Sequence, residues 1–178
     1  MLSDRLQDAI NKQINNELYS AHLYLSMSAY FESLDLNGFA HWMRLQFEEE
    51  TAHALKLFDY VNDRDGRVAL RAIEQPQIEF ESPNSVMRSA LEHERLVTSM
   101  INDLYALSID EKDYPTHVLL EWFVSEQVEE EKTLNEINAH MDLIGNDGTG
   151  LLIMDQRLGS RTAEAGSDGG EAEGAEAL

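Results

Sequence analysis

The sequence predicts an all-α protein: a four-helix bundle with one long crossover between helices two and three, plus a short fifth C-terminal helix. Three observations predict it. Glycine and proline are missing from four long stretches, 3–37, 39–65, 84–114 and 116–144. Within each stretch apolar residues recur at three- and four-residue steps, the period of one helix face. The connections run short, long, short, so that helices one and two, and three and four, form antiparallel pairs. The long link, 66–82, reaches about 55 Å at ~3.3 Å per residue. A 25-residue helix is only about 38 Å long, so the link can run the whole bundle.

Each boundary has a local cause. Asn37-Gly38 marks a turn between the first two helices. Ser82-Pro83 offers a capping hydroxyl followed by proline at the first helical position, and Asp113-Tyr114-Pro115 repeats that logic for helix four. Gly145 stops helix four and a glycine-rich link follows over 146–150. Residues 151–158 can form the fifth helix and complete a domain spanning 1–158. From 159 to 178 the composition is dominated by Gly, Ala, Glu, Asp and Ser, with no aromatic residue. Such a tail buries little surface and is expected to be disordered.

Composition removes whole classes of function. There are 34 acidic residues against 13 basic ones, a net charge of -21. That surface repels nucleic-acid phosphates and anionic lipid alike, so neither nucleic acid nor membrane is an expected partner. The absence of cysteine excludes disulfides, thiolate zinc sites and iron–sulfur clusters. No apolar run exceeds four residues, too few to span a bilayer. The N-terminus carries no apolar signal core, and a cytoplasmic location is the expectation. Acids outnumber basic residues heavily, and only 4 of the basic residues are lysine. That balance fits either a protein adapted to concentrated salt or a merely acidic chain with an acidic tail.

The inward lines hold an anomaly. Helix one reads Leu6, Ile10, Ile14, Glu17, Ala21, Tyr24, Ser28, Phe31, and helix two reads Phe39, Met43, Gln46, Glu50, His53, Leu57, Tyr60. Helix three reads Val86, Ala90, Glu94, Val97, Ile101, Leu104, and helix four reads Leu119, Phe123, Gln127, Glu130, Leu134, Ile137, Met141. Every line carries one glutamate near its middle. A lone carboxylate on such a face is ordinarily solvated or paired, but four at matched height repel one another, and the lines contain no Lys or Arg. Two divalent cations would balance the four charges. Glu50 and His53 stand at i, i+3 and project from one face toward one ion. Glutamate oxygens with a single imidazole suit iron or manganese better than calcium.

Other candidates are less marked. Glu49, Glu126 and Glu129 flank the inward lines and could form an outer metal site sharing Glu130. Glu48 and Glu131 read as solvated. Gln127 and Tyr24 could hydrogen-bond a ligand, or be an edge amide and a core tyrosine. Trp122 reads as packing. His22, His41, His93, His117 and His140 read as surface or edge residues.

Several segments, in this order, resemble the ferritin family, in its non-haem bacterial or archaeal form. They are Asn-Glu-Leu-Tyr-Ser at 16–20, Phe-Glu-Glu-Glu-Thr-Ala-His at 47–53, Leu-Phe-Asp-Tyr at 57–60, Asp-Tyr-Pro-Thr at 113–116 and the run 122–132. The resemblance covers 1–158. It implies a ferritin-like di-iron domain in which Glu17, Glu50 and His53 hold one iron. Glu50, Glu94 and Glu130 hold a second, with Glu50 bridging. It further implies a third iron at Glu49, Glu126 and Glu129, with Glu130 shared, and matches Tyr24 to a central tyrosine. The implied activity is ferroxidation: Fe(II) is oxidised by dioxygen or peroxide and stored as ferric mineral in a homo-oligomeric shell of 24 subunits, whose four-fold axes the fifth helix would line. Thr133 stands where bacterioferritins place a second histidine, and Thr51 where they place a haem-ligating methionine, so no haem is expected. The remaining alternatives are a structural bundle with protonated glutamates, and a di-iron or di-manganese oxidoreductase without a storage role.

Overall fold

The computed structural model describes residues 2–145 and 147–162. Five helices follow in order: α1 (Asp4–Glu32), α2 (Asn37–Asp63), α3 (Pro83–Asp110), α4 (Tyr114–Ile144) and α5 (Gly148–Gly159). The 163–178 part of the expected tail lies outside the described residues. None of the described helices is long and apolar enough to cross a membrane.

The starts follow the capping logic. Ser82 Oγ accepts from Ser85 N–H at 3.1 Å while Ser85 Oγ reaches back to Ser82 N–H at 3.0 Å, a reciprocal box ahead of α3. Asp113 caps α4 through Thr116 N–H at 3.1 Å. Both its oxygens also pair with Arg64, at 2.9 and 2.8 Å, which ties the end of α2 to the start of α4. Asp147 accepts from Thr149 and Gly150 N–H, so α5 begins at Gly148, inside the segment expected to be a glycine-rich link.

The stops differ from expectation. Helices α1, α2 and α3 end the same way: Leu36, Gly66 and Asp113 N–H bond back to Phe31, Val61 and Ser108 carbonyls. The residue before each is left-handed: Asp35 at φ 58°, Asp65 at 57°, Lys112 at 56°. The first turn therefore lies at 33–36, and Asn37-Gly38 is already the first turn of α2. Gly38 is glycine for another reason. A Cβ there would lie 1.8 Å from the Asp155 carbonyl oxygen of α5. Asp155 Oδ1 in turn accepts from Gly38 and Phe39 N–H, at 2.8 and 3.0 Å, capping α2 from α5.

Helix α1 packs on α2 and α3, α3 on α4, and α5 on α2 and α4. The α2 and α4 backbones nowhere approach within 8 Å among the described residues, leaving a seam spanned by side chains. The crossover lies along α1. Gln7 and Asn11 bind Arg67 and Ala69 backbone, and Ser26 binds the Gln77 carbonyl. From Gln7 to Ser26 the helix rises about 28 Å, a distance that the link from 67 to 77 covers when extended.

The core is divided. Leu6, Ile10, Ile14, Leu57, Val61, Val97, Ile101, Leu104, Leu120 and Phe123 fill one end. Met27, Phe31, Phe39, Trp42, Met43, Met87, Leu134, Met141, Met154 and Leu158 fill the other. Between them runs a buried polar layer: Gln13, Glu17, Gln46, Glu50, His53, Glu94 and Gln127. The inward lines hold with small shifts. Leu120, rather than the expected Leu119, is fully buried, and Tyr60 stands half-buried with its hydroxyl 2.7 Å from Thr116 Oγ1.

Candidate metal centre

The polar layer is built from helix register. Glu50 and His53, one turn apart on α2, face Glu17 on α1. One ligand atom from each of the three lies within 4.8 Å of the other two. Glu50 Oε2 is 3.8 Å from His53 Nδ1. The imidazole is held edge-on by Trp122 and Phe123, at ring separations of 5.3 and 5.9 Å.

Three carboxylate oxygens in this group are buried with no amide, hydroxyl or ring N–H donor, so that only a proton shared between the two carboxyls can serve them: Glu17 Oε2, Glu50 Oε1 and Glu50 Oε2. The fourth, Glu17 Oε1, accepts from Gln13 Nε2 at 2.8 Å. Burying an unpartnered anionic oxygen is costly, and the cost falls on the charged form. Burial accordingly pushes Glu17 up to about 7, against hydrogen bonds with Gln13 and Glu50 and with the charge of Glu94 adding to it. Glu50 is raised further, by burial and then by the charges of Glu94 and Glu17. His53 is pushed down to about 4 by burial and then by Lys56, so its imidazole is neutral and has a lone pair to offer. Oxygen and nitrogen donors, charge-rich and unpartnered, fit a divalent iron or manganese ion.

The other two inward glutamates are held differently. Glu94 is fully buried, and its oxygens accept from Tyr24 OH at 2.5 Å and Gln127 Nε2 at 3.0 Å. Its carboxyl is raised by burial against the pull of those two donors. Glu130 stands at the rim and accepts from Gln46 Nε2 at 2.9 Å. Burial, then Glu94 and Glu49, push it up to about 8.

Among the described residues, Glu17, Glu50 and His53 are the only trio within the 4.8 Å limit. The structure does not gather Glu49, Glu126 and Glu129 in that way. Both Glu49 oxygens accept from Arg161 Nη2 at 2.9 Å. Glu129 is exposed and lies 3.7 Å from Lys132. Glu126 is half-buried. His93 is half-buried at the edge of the bundle, with Nε2 2.8 Å from Ser20 Oγ. Sequence reasoning misses three hydrogen-bonding residues around the layer: Gln13 and Gln46, which donate to Glu17 and Glu130, and Arg161, which donates to Gln46 and to the flanking Glu49. Gln13 carries a signal, being four residues before Glu17, and Gln46 lies on an inward line. Arg161 carries none, standing in a segment with the composition of a tail.

Comparison with known proteins agrees with this architecture. The Ferritin-like domain family matches residues 7–144. A probable bacterial non-heme ferritin-like protein of Haemophilus influenzae is 39% identical over 165 residues, covering 93% of this chain and 100% of that protein. A bacterial non-heme ferritin of Staphylococcus aureus is 36% identical over 162 residues, covering 91% of this chain and 98% of its own. The crystal structure of an open pore ferritin from Archaeoglobus fulgidus superposes with a TM-score of 0.90 at 46% identity, over 91% of this chain and 100% of that one. With all five helices, the long crossover and the buried carboxylate layer in place, the chain belongs to the ferritin family.

Proposed function

We propose that this protein stores and detoxifies iron, and that the polar layer is a ferroxidase centre taking Fe(II) as its substrate. The observation that carries this reading is the set of three unpartnered carboxylate oxygens on Glu17 and Glu50 beside a neutral His53. Glu17, Glu50 and His53 receive one Fe(II). Glu50, Glu94 and Glu130 receive a second across the layer, with Tyr24 and Gln127 orienting Glu94. Each Fe(II) gives up one electron. Dioxygen accepts two electrons and two protons to leave as hydrogen peroxide; peroxide as oxidant accepts two of each to leave as water.

The raised carboxyls make uptake a proton exchange. Near neutral pH the empty layer holds protons on its carboxyls, and binding of Fe(II) releases them. The oxidised iron moves on to a ferric oxyhydroxide mineral inside a homo-oligomeric shell, for which we propose 24 subunits and a cytoplasmic setting. The high acidity of the chain concentrates cations around it.

The test is stopped-flow oxidation of Fe(II) by dioxygen, with particle mass measured alongside. Glu50→Ala and His53→Ala are expected to lose the fast phase while the assembled particle persists. An unchanged fast phase in both variants overturns the site assignment, and a monomeric native protein overturns the shell.

A further inference from the structure

The seam between α2 and α4 is closed at one point by a residue from beyond α5. The docking of Gly38 against Asp155 fixes where the chain leaves that helix. Two residues later, Arg161 lies across α2 with its backbone carbonyl accepting from His41 Nε2 at 2.9 Å. Its guanidinium carbon sits 5.3 Å from the centre of the Trp42 ring. One amino group, Nη2, donates to both oxygens of Glu49 at 2.9 Å. The other, Nη1, donates to the side-chain oxygen of Gln46. The Arg161 and Glu49 side chains are only 24% and 22% exposed.

Gln46 carries the contact inward. It is fully buried, and its amide nitrogen donates to Glu130 Oε2 at 2.9 Å. A primary amide is ambiguous about which end faces which neighbour. With Arg161 able only to donate, the Gln46 oxygen must face it, and the NH2 must face Glu130.

We propose that Arg161 is a resident cation of the α2–α4 seam: it occupies the Glu49 carboxylate against an outer metal ion and, through Gln46, is a positioning residue for Glu130. The geometry has two consequences. The native chain takes metal only in the inner layer, because both oxygens of the carboxylate that would recruit an outer ion already accept from a positive group. Removing the guanidinium takes the competing cation off Glu49, so that a metal ion can recruit it together with Glu130, Glu126 and Glu129, and lets the Gln46 amide turn over.

This rests on the inner layer binding metal, and the experiment separates the two. Redox-inert Zn(II) is titrated into the metal-free assembled protein by calorimetry, for the native chain, Arg161→Gln and the double variant Arg161→Gln with Glu49→Gln. The expected stoichiometry is about two per chain in the native protein, about three in Arg161→Gln, and about two again in the double variant. Because Gln lacks charge but keeps polar bulk, circular dichroism and particle mass check that Arg161→Gln remains assembled. If it does not, the Glu49→Gln variant decides: unchanged native stoichiometry supports the proposal, and loss of an ion overturns it. A native protein that already binds three ions, one of them lost in Glu49→Gln, overturns the proposal and leaves the inner centre standing. A native protein that binds none overturns both. A third ion in Arg161→Gln that survives in the double variant overturns the assignment to Glu49.

Discussion

The two halves of the carboxylate layer are built on opposite terms. On the α1–α2 side, Glu17 and Glu50 bury four oxygens and one donor serves them, Gln13. On the α3–α4 side, Glu94 and Glu130 receive donors from Tyr24, Gln127 and Gln46. The bare half is destabilising when empty and can give its full lone-pair capacity to a cation. The furnished half is held in a set orientation before any cation arrives. One centre thus combines unsatisfied affinity with preorganised geometry, and the cost of the former is tolerated because the apolar ends of the bundle hold the helices in register.

The strongest way to break the contrast is at Glu50, the residue that both halves share in the proposed ligation. Glu50→Ala should slow Fe(II) oxidation by at least about 100-fold, since loss of a ligand exceeds the 10- to 100-fold typical of residues that merely orient ligands. In the metal-free state the sign reverses. Glu50→Leu removes two unpartnered buried oxygens and should raise the unfolding midpoint, by a margin of about 1–4 kcal/mol in stability. A lowered midpoint would mean that those oxygens have partners.

The second test is pH. Glu17 and Glu130 rise from 4.5 to about 7 and about 8 on folding, so between those values the native state binds more protons than the unfolded chain. Their contribution to stability is fully present below about 4.5 and is lost as pH rises toward 8. Metal-free protein should therefore melt at lower temperature at pH 8 than at pH 5, by a few kcal/mol in stability. Zn(II) should remove most of that slope. Asp113, held down to about 2 by Arg64, has its window below 3.8 and does not contribute here. Moderate salt suppresses the general repulsion of the acidic surface, and a flat profile there would show the layer to be hydrated.

Smaller effects sharpen the comparison. Tyr24→Phe and Gln127→Leu each take one donor from Glu94 and should slow oxidation about 10-fold while leaving the trio around Glu50 able to bind its ion. Equal loss at both ions, read by titration, would contradict separate halves. Gln13→Leu should cost least, a few-fold at most, because a bound cation takes over the oxygen that Gln13 leaves.

What is legible in the sequence follows from locality. The apolar period and the caps at Ser82 and Asp113 act within a few residues, so the starts of α3 and α4 are written in their own neighbourhoods. The inward positions of Glu17, Glu50 and Glu94 follow from the same period, and all three are buried. The helix ends are harder. Asp35, Asp65 and Lys112 take the left-handed conformation without glycine, and nothing in their identity announces it. Gly38 reads as a turn because glycine usually means one. Its cause is a helix more than 100 residues later, visible only once α5 is docked. Arg161 is hidden for the same reason. Its partners at 46 and 49 are remote in sequence, and its neighbours have the composition of a solvated tail. The outer acidic group stands apart from the inner trio: Glu129 is exposed, Glu126 half-buried, and both Glu49 oxygens accept from Arg161.

The path of α5 places the two ends of the described residues in unlike surroundings. The N-terminal turn sits at the far end of the bundle, where Arg5 pairs with Asp110 and Glu111, about 20 Å along α1 from Glu17. At the other end of the described residues, Arg161 donates to Glu49. A fluorophore or nitroxide grafted near residue 162 therefore senses a paramagnetic ion entering the centre at close range. The same label at residue 4 reports from a distance, giving an internal reference within one molecule.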